Sequence, residues 1–501
     1  MPSSHKAHPL ITGTLLLTTA GLLSRILGFF YRIFLSRTIG AEGLGIYQMI
    51  FPVYGIFFSL CAGSIQTAIS RFIAADPDHA KRTLLSGFSI SFTLSLAAAL
   101  MIRHFSEPLA EHILLEPRCA PLLSVMAFAI PCTSIHACIC GYYYGKEKVS
   151  VPAASQLLEQ MIRIFTVFLL VSVCIEKQIP VTVSLAVFGL VAGEAGSALF
   201  VLIFFLLFHE FHENTGRSYS VGPALLALAA PLMANRLVLN LLQSTETIMI
   251  PERLTVYGLT RSQAVRTYGT LTGMAMPFVL FPSALVNSLA VVLLPVTARH
   301  QSAGNDSGIA DGISMSFRYS LYLGIFCIGI FTVFGEALGL QIFKSQDAGS
   351  FIQILAWLCP FLYLATSSGS ILNGLGKTKL TFFHHLISLL VRIAFVWFGI
   401  PEFGIRACLW GMLASEILLA LLHILALRRI VPCDWNAWIL IGKPVFCLLC
   451  ALWLFRLFPE TLPLPAGLPD FFRTAAQILL LSTMYLLFLL LFHRKQSPTA
   501  T

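Results

Sequence analysis

The feature that most constrains this chain is the recurrence of uninterrupted apolar runs about 20 residues long. A lipid-spanning helix needs roughly 20 predominantly apolar residues. Fourteen segments meet that length: residues 10–35, 46–75, 84–102, 120–143, 151–175, 181–208, 221–250, 268–298, 313–334, 351–372, 380–400, 404–427, 437–458 and 471–492. The joining stretches are short and leave no room for a soluble catalytic domain. Strand-type alternation is absent, so a β-barrel is not indicated. Only 11% of the residues are charged and 57% are hydrophobic, with a mean hydropathy of +0.83. Ordinary soluble domains carry about 25% charged residues. A soluble enzyme, a nucleic-acid binder and a disordered scaffold are therefore excluded. The expected fold is all-α and integral to the membrane.

The formal net charge of +9 is spread between apolar runs with no dense basic block. It reads as a bias of cytoplasmic loops rather than a nucleic-acid surface. Lys6, Lys81, Arg82, Lys146, Lys148, Lys377, Lys379, Arg428 and Arg429 fall on one side if the chain starts inside, so both termini are expected to be cytoplasmic. The N-terminal apolar run is too long for a signal peptide and contains Arg25. The twelve cysteines lie mostly inside apolar runs. Cys447/Cys450 and Cys138/Cys140 lack a second half at zinc spacing and read as helix filler.

The chain repeats itself. Gly141-Tyr-Tyr-Tyr-Gly145-Lys146-Glu-Lys148 precedes span 5, and Asn373-Gly-Leu-Gly376-Lys377-Thr-Lys379 precedes span 11. Met49-Ile-Phe-Pro52 in span 2 answers Met274-Ala-Met-Pro277 in span 8. A six-span offset keeps both copies in the same orientation, so two six-helix lobes form parallel repeats. The expected division is 1–218 for spans 1–6, 219–430 for spans 7–12, and 431–501 for spans 13–14 and the tail.

Ionisable groups at bilayer depth are costly, so each one is a functional candidate. Arg25, Glu159, Arg163, Glu194, Arg236, Arg392 and Glu416 are such groups, and the repeat copies six of them. Ser24-Arg25 answers Asn235-Arg236, Arg163 answers Arg392, and Gly189-x-x-Ala-x-Glu194 answers Gly411-x-x-Ala-x-Glu416. Arg163 and Glu194 lie about 18–21 Å from the same end of adjacent antiparallel helices. Arg163 with Glu194, and Arg392 with Glu416, are expected to form structural ion pairs, with Glu159 one turn from Arg163 sharing the first. Arg25 and Arg236 have small or polar neighbours. Span 1 holds no carboxylate, and Glu246 lies ten residues from Arg236. These two arginines are expected to face a central cavity as ligands for an anion, with Ser24, Asn235, Asn240 and Gln66 beside them. His384-His385 begins span 11, has no partner set for a metal in the sequence, and reads as interfacial. No catalytic residue, metal site or cofactor is expected.

Several motifs resemble the stage V sporulation protein B family. They are Ser24-Arg25-Ile-Leu-Gly28-Phe, Gly43-Leu-Gly45-Ile-Tyr47-Gln48-Met-Ile-Phe-Pro52, Ala68-Ile-Ser70-Arg71, Ile250-Pro251-Glu-Arg253-Leu, Tyr268-Gly-x-Leu-x-Gly273-Met-Ala-Met-Pro277 and Asn373-Gly-Leu-Gly376-Lys377. That family belongs to the multidrug/oligosaccharidyl-lipid/polysaccharide flippase superfamily. The resemblance implies an alternating-access flippase of a polyprenyl-pyrophosphate-linked saccharide, serving cell-envelope or spore-cortex synthesis in a bacterial plasma membrane. Its partners would be the lipid-linked saccharide and membrane lipids, with a coupling ion left open. Arg25 matches the Ser-Arg-x-Leu-Gly arginine of lipid II flippases. Tyr31 and Ile46 stand where those flippases carry a second arginine and an acidic residue. The alternative is a cation-coupled multidrug exporter of the same architecture. A membrane enzyme would need clustered carboxylates at the membrane face. Asp76 and Asp78 come closest and read as a solvated turn.

Overall fold

The computed structural model describes residues 9–208, 221–431, 436–457 and 469–494. The expected lobe boundary at 218/219 and both chain termini lie outside the described residues. Every regular element among them is helical. In lipid the backbone has no water to bond, so helices that satisfy their own N–H and C=O groups are the available solution. Among the described residues, thirteen helices are long and apolar enough to cross a membrane, and a fourteenth crossing results if the bent pair Pro117–Met126 and Ala129–Gly145 is one span. That pair bends by 43°. The chain is a multi-pass membrane protein.

The chain divides into two compact units, Met1–Gly269 and Thr270–Thr501. In the first, α1 (Pro9–Thr38) is followed by a broken second span of α2 (Gly40–Met49), α3 (Phe51–Phe58) and α4 (Ser64–Ala75), with a π-helical turn at Ser59–Gly63. Next come α5 (Ala80–His104), the short α6 (Ser106–Pro108), α7 (Ala120–Met126), α8 (Ala129–Gly145), α9 (Ser150–Glu176) and α10 (Ser184–Phe208). The unit closes with α11 (Val221–Val256), which continues through Pro231 and Pro251, and α12 (Arg261–Gly269). Its core includes Ile65, Ile69, Ile73, Ile139, Tyr142 and Leu225, which join α4, α8 and α11.

The second unit holds α13 (Met276–Leu280), α14 (Ser283–Ser302), α15 (Asp306–Phe343), α16 (Gln346–Leu355), α17 (Cys359–Gly374), α18 (Thr378–Ala394), α19 (Ile400–Phe403), α20 (Ile405–Ile430), α21 (Lys443–Arg456) and α22 (Asp470–Arg494). Asn305 and Ser345 cap α15 and α16 by accepting from Gly308 N and Ala348 N. Leu293, Ile313, Phe317, Leu364, Leu372 and Leu419 share one core. The described cysteines are free thiols.

The internal repeat is visible in hydrogen bonds. At the end of α8, Lys146 N, Glu147 N and Lys148 N donate to the carbonyls of Tyr142, Tyr144 and Tyr143. At the end of α17, Leu375 N, Gly376 N and Lys377 N donate to Ile371, Asn373 and Leu372 in the same pattern. Both turns need a left-handed residue, Glu147 (φ 59°) in one and Gly376 (φ 72°) in the other.

Candidate functional site

The charged cluster of the first unit is built by close helix approach. A β-carbon on Gly193 would lie 2.9 Å from the Glu159 carbonyl oxygen and 3.2 Å from Arg163 Cβ. One on Gly189 would lie 3.2 Å from the Arg163 carbonyl. The Gly-x-x-x-Gly face of α10 therefore lets α9 come in until backbones touch, as small residues do between membrane helices. That approach brings Glu194 to Arg163. Arg163 Nη2 stands 2.5 Å from Glu159 Oε1 and 3.8 Å from Glu194 Oε1. The i,i+4 partner on its own helix holds the guanidinium more tightly than the partner across the interface. Glu194, 6% exposed, makes up the difference with neutral donors. Tyr54 OH and Thr133 Oγ1 each donate to its carboxylate at 3.0 Å. The donor atoms of His136, Glu159 and Glu194 all lie within 4.8 Å of one another. His136 Nε2 is 2.9 Å from Ser155 Oγ. Buried carboxylates of this kind persist only when charge and hydrogen bonds compensate them.

The second unit repeats the frame. Gly411 on α20 faces the Arg392 carbonyl of α18, where a β-carbon would lie 3.7 Å from that oxygen. Ser388 Oγ donates to the Ser415 carbonyl at 2.9 Å, fixing the helix faces that carry Arg392 and Glu416.

Arg25 and Arg236 sit differently. Both are exposed, and neither makes an ion pair among the described residues. Ser24 is buried on α1. Arg236 Nη2 donates to Thr67 Oγ1 at 3.2 Å, and a side chain on Gly63 would strike this guanidinium. The Ser59–Gly63 π turn thus leaves a notch for Arg236. Asn240 Nδ2 donates to the Gly55 carbonyl at 3.0 Å and to Ser59 Oγ at 2.5 Å. Ser244 Oγ is 3.5 Å from the Pro52 carbonyl. Arg236, Asn240 and Ser244 recur every four residues on α11, so they form one polar seam along the antiparallel second span. Asn240 is committed to that seam. Asn235 is exposed, and Gln66 is half-buried with its carbonyl facing Gly141.

A charged network at the end of the bundle where α1 finishes was not anticipated from the sequence. Glu116, 2% exposed, takes Arg118 Nε at 2.5 Å on one oxygen and Arg261 Nε at 3.2 Å on the other. Arg118 Nη1 reaches Glu42 Oε1 at 2.6 Å. Arg261 Nη2 also donates to the Leu114 carbonyl at 3.3 Å. Burial pushes the Glu116 carboxyl up, but Arg118 and Arg261 together outweigh it and hold it below the ordinary carboxylate value. Beside this network α2 and α12 meet at Gly45 and Gly269. A β-carbon on Gly269 would run into the Ala41 carbonyl and the Gly45 backbone. No motif or spacing in the sequence links Glu42, Glu116, Arg118 and Arg261, which lie in three stretches far apart along the chain.

An all-helical bundle with thirteen or fourteen helices able to cross a membrane, and with a buried arginine–carboxylate cluster between two of them, places the chain among multi-pass membrane transporters. Residues 10–301 match the model of the polysaccharide biosynthesis protein family, and the chain belongs to that family. It is 27% identical over 436 residues to stage V sporulation protein B of Bacillus subtilis (strain 168), covering 84% of each chain. It is 23% identical over 421 residues to the lipid II flippase MurJ of the same organism, covering 77% of this chain and 76% of that one. Among solved structures it is similar to lipid II flippase MurJ in an inward closed conformation, with a TM-score of 0.75 and 15% identity over 96% of this chain and 99% of that one. It is also similar to an inward-facing multidrug resistance MATE family transporter, with a TM-score of 0.65 and 14% identity over 83% and 97%.

Proposed function

We propose that this protein flips a polyprenyl-pyrophosphate-linked saccharide across a bacterial plasma membrane by alternating access. Spans 1–6 and 7–12 act as the moving lobes, and both termini are cytoplasmic. The observation that carries this reading is the pair of exposed arginines, Arg25 and Arg236, on the first and seventh spans with no ion-pair partner among the described residues. A guanidinium at membrane depth without a carboxylate is costly unless an anion joins it. Its planar fork suits the two phosphates of a pyrophosphate. The polar seam of Thr67, Asn240 and Ser59 beside Arg236 offers hydroxyl and amide groups in place of water. The relative named as a lipid II flippase supports the same substrate class. With the inside negative, outward movement of one negative charge gains about 2.3 kcal/mol per 100 mV.

The test is translocation of defined lipid-linked sugars by the protein in proteoliposomes. Arg25→Ala and Arg236→Ala are each expected to slow translocation at least tenfold while leaving the fold intact. Unchanged rates in both would refute the anion-site reading. A cation-coupled exporter is the second reading, favoured by the His136, Glu159 and Glu194 donor atoms that converge within 4.8 Å. Under that reading Glu194→Gln abolishes export of a cationic dye, while Arg25→Ala spares it.

A further inference from the structure

The helix that carries Arg261 is set between two points where the backbone turns easily. α12 (Arg261–Gly269) follows Gly258, which stands at φ 112° just past the end of α11, and it runs into a π-helical turn at Thr270–Ala275. Glycine adopts positive φ with little strain, and π turns are where helices bend. By the sequence repeat α12 opens span 8 as α2 opens span 2, because Met274-Ala-Met-Pro277 answers Met49-Ile-Phe-Pro52. The two helices nevertheless lie in one compact unit, Met1–Gly269, and meet backbone to backbone. A β-carbon on Gly45 would strike the Val265 carbonyl oxygen, and one on Gly269 the Ala41 carbonyl oxygen. The Ser262 hydroxyl of α12 also donates to the Glu42 carboxylate of α2.

The ionic part of this contact is asymmetric. Glu116 is 2% exposed and needs a cation to stay buried as an anion. Arg118 lies two residues away on the same connection and stays with it whatever α12 does. Arg261 comes from α12, and its side chain is 30% exposed and so already partly hydrated. If α12 leaves α2, Glu116 keeps Arg118 and Arg118 keeps Glu42. What is lost is one ion pair at 3.2 Å, the Arg261 bond to the Leu114 carbonyl at 3.3 Å, the Ser262 bond and the glycine contact. No buried charge is stranded, so the contact can break and reform. The opposite end of α11 is held differently. There Leu225 and Ala229 are fully buried in one apolar core with Ile65 and Ile69, which offers no such exchange of partners.

We infer that α12 is a gate helix, that Arg261 on Glu116 is the latch holding it against α2, and that Arg118 is the fixed counter-ion that makes release reversible. The inference rests on the flippase reading proposed above, in which α2 and α12 belong to opposite lobes and this end of the bundle faces outward.

Cys119 is a native reporter of the latch. Its thiol is fully buried beside Glu116 and Arg118, 3.9 Å from the Ile46 carbonyl of α2. Bacteria expressing the full-length chain are treated with a membrane-impermeant maleimide. The labelling rate of Cys119 is read by mass spectrometry of its peptide, with the fully buried Cys138 of α8 as the control for folding. Arg261→Gln and Gly269→Ala should each raise the rate at Cys119 about tenfold, equivalent to about 1.4 kcal/mol, while Cys138 stays unlabelled. Losing a neighbouring cation makes a thiolate scarcer, so a rise in Arg261→Gln reports opening and not reactivity. Arg261→Lys should restore most of the protection. Unchanged labelling of Cys119 in both variants, or labelling of Cys138 in step with it, would overturn the latch. A rise confined to permeabilised cells upholds the latch and refutes the outward orientation. A chain that labels as expected yet moves no lipid-linked sugar keeps the latch and refutes the substrate.

Discussion

Removing the charge of Glu116 tests whether the network at the end of α1 is a cooperative clasp or a set of independent surface pairs. Glu116 Oε2 and Arg261 Nε are 3.2 Å apart, the carboxylate is 2% exposed, and the Arg261 side chain is 30% exposed. At an effective dielectric of 20 their attraction is about 5 kcal/mol. Desolvating the carboxylate and the residual hydration of Arg261 cancel most of that, leaving a net coupling of about 1–2 kcal/mol. A double-mutant cycle isolates it. Wild type, Glu116→Gln, Arg261→Gln and the double variant would be unfolded in mixed dodecyl maltoside and SDS micelles. The two single losses should exceed the double loss in sum by about 1–2 kcal/mol. Because Glu116 is held below its ordinary value, this coupling is fully present above the usual carboxylate range and is lost only as pH falls through its lowered pKa. It should therefore be the same at pH 7 and pH 5. A coupling within error of zero, or one that disappears by pH 5, would refute the reasoning.

Arg163→Ala should destabilise the first unit by about 3–5 kcal/mol in the same assay, since it leaves Glu159 and Glu194 buried together without their cation. Adding Glu159→Gln to it should recover part of that loss. Asn240→Leu removes two bonds to the second span and should cost about 1–2 kcal/mol. Gly63→Leu, which drives Arg236 from its notch, should reduce translocation as severely as Arg236→Ala. Glu147→Gly relieves a left-handed non-glycine residue at the end of α8 and should stabilise the chain by up to about 1 kcal/mol, read as a raised unfolding midpoint.

The sequence by itself determined the membrane class. A chain with long apolar runs and few charges must bury its backbone in helices, whatever its neighbours are. The sequence matched Gly145-Lys146 to Gly376-Lys377, whereas the hydrogen bonds of the two turns align Glu147 with Gly376, two places along, because the left-handed position and not the glycine sets the turn. The glycines at 189, 193 and 411 could be read as a helix-packing face, but not the distances they permit. Tertiary structure decided that Arg163 sits tighter on Glu159 than on Glu194, because one is a turn away on the same helix and the other depends on how closely two helices approach. It alone committed Asn240 to the seam with Gly55 and Ser59, joined Glu42, Glu116, Arg118 and Arg261 across three connections, and set His423 beside His384, their ring centres 5.1 Å apart. Periodicity reports which face of a helix a residue occupies. Which faces meet depends on long-range packing, and no local pattern encodes that.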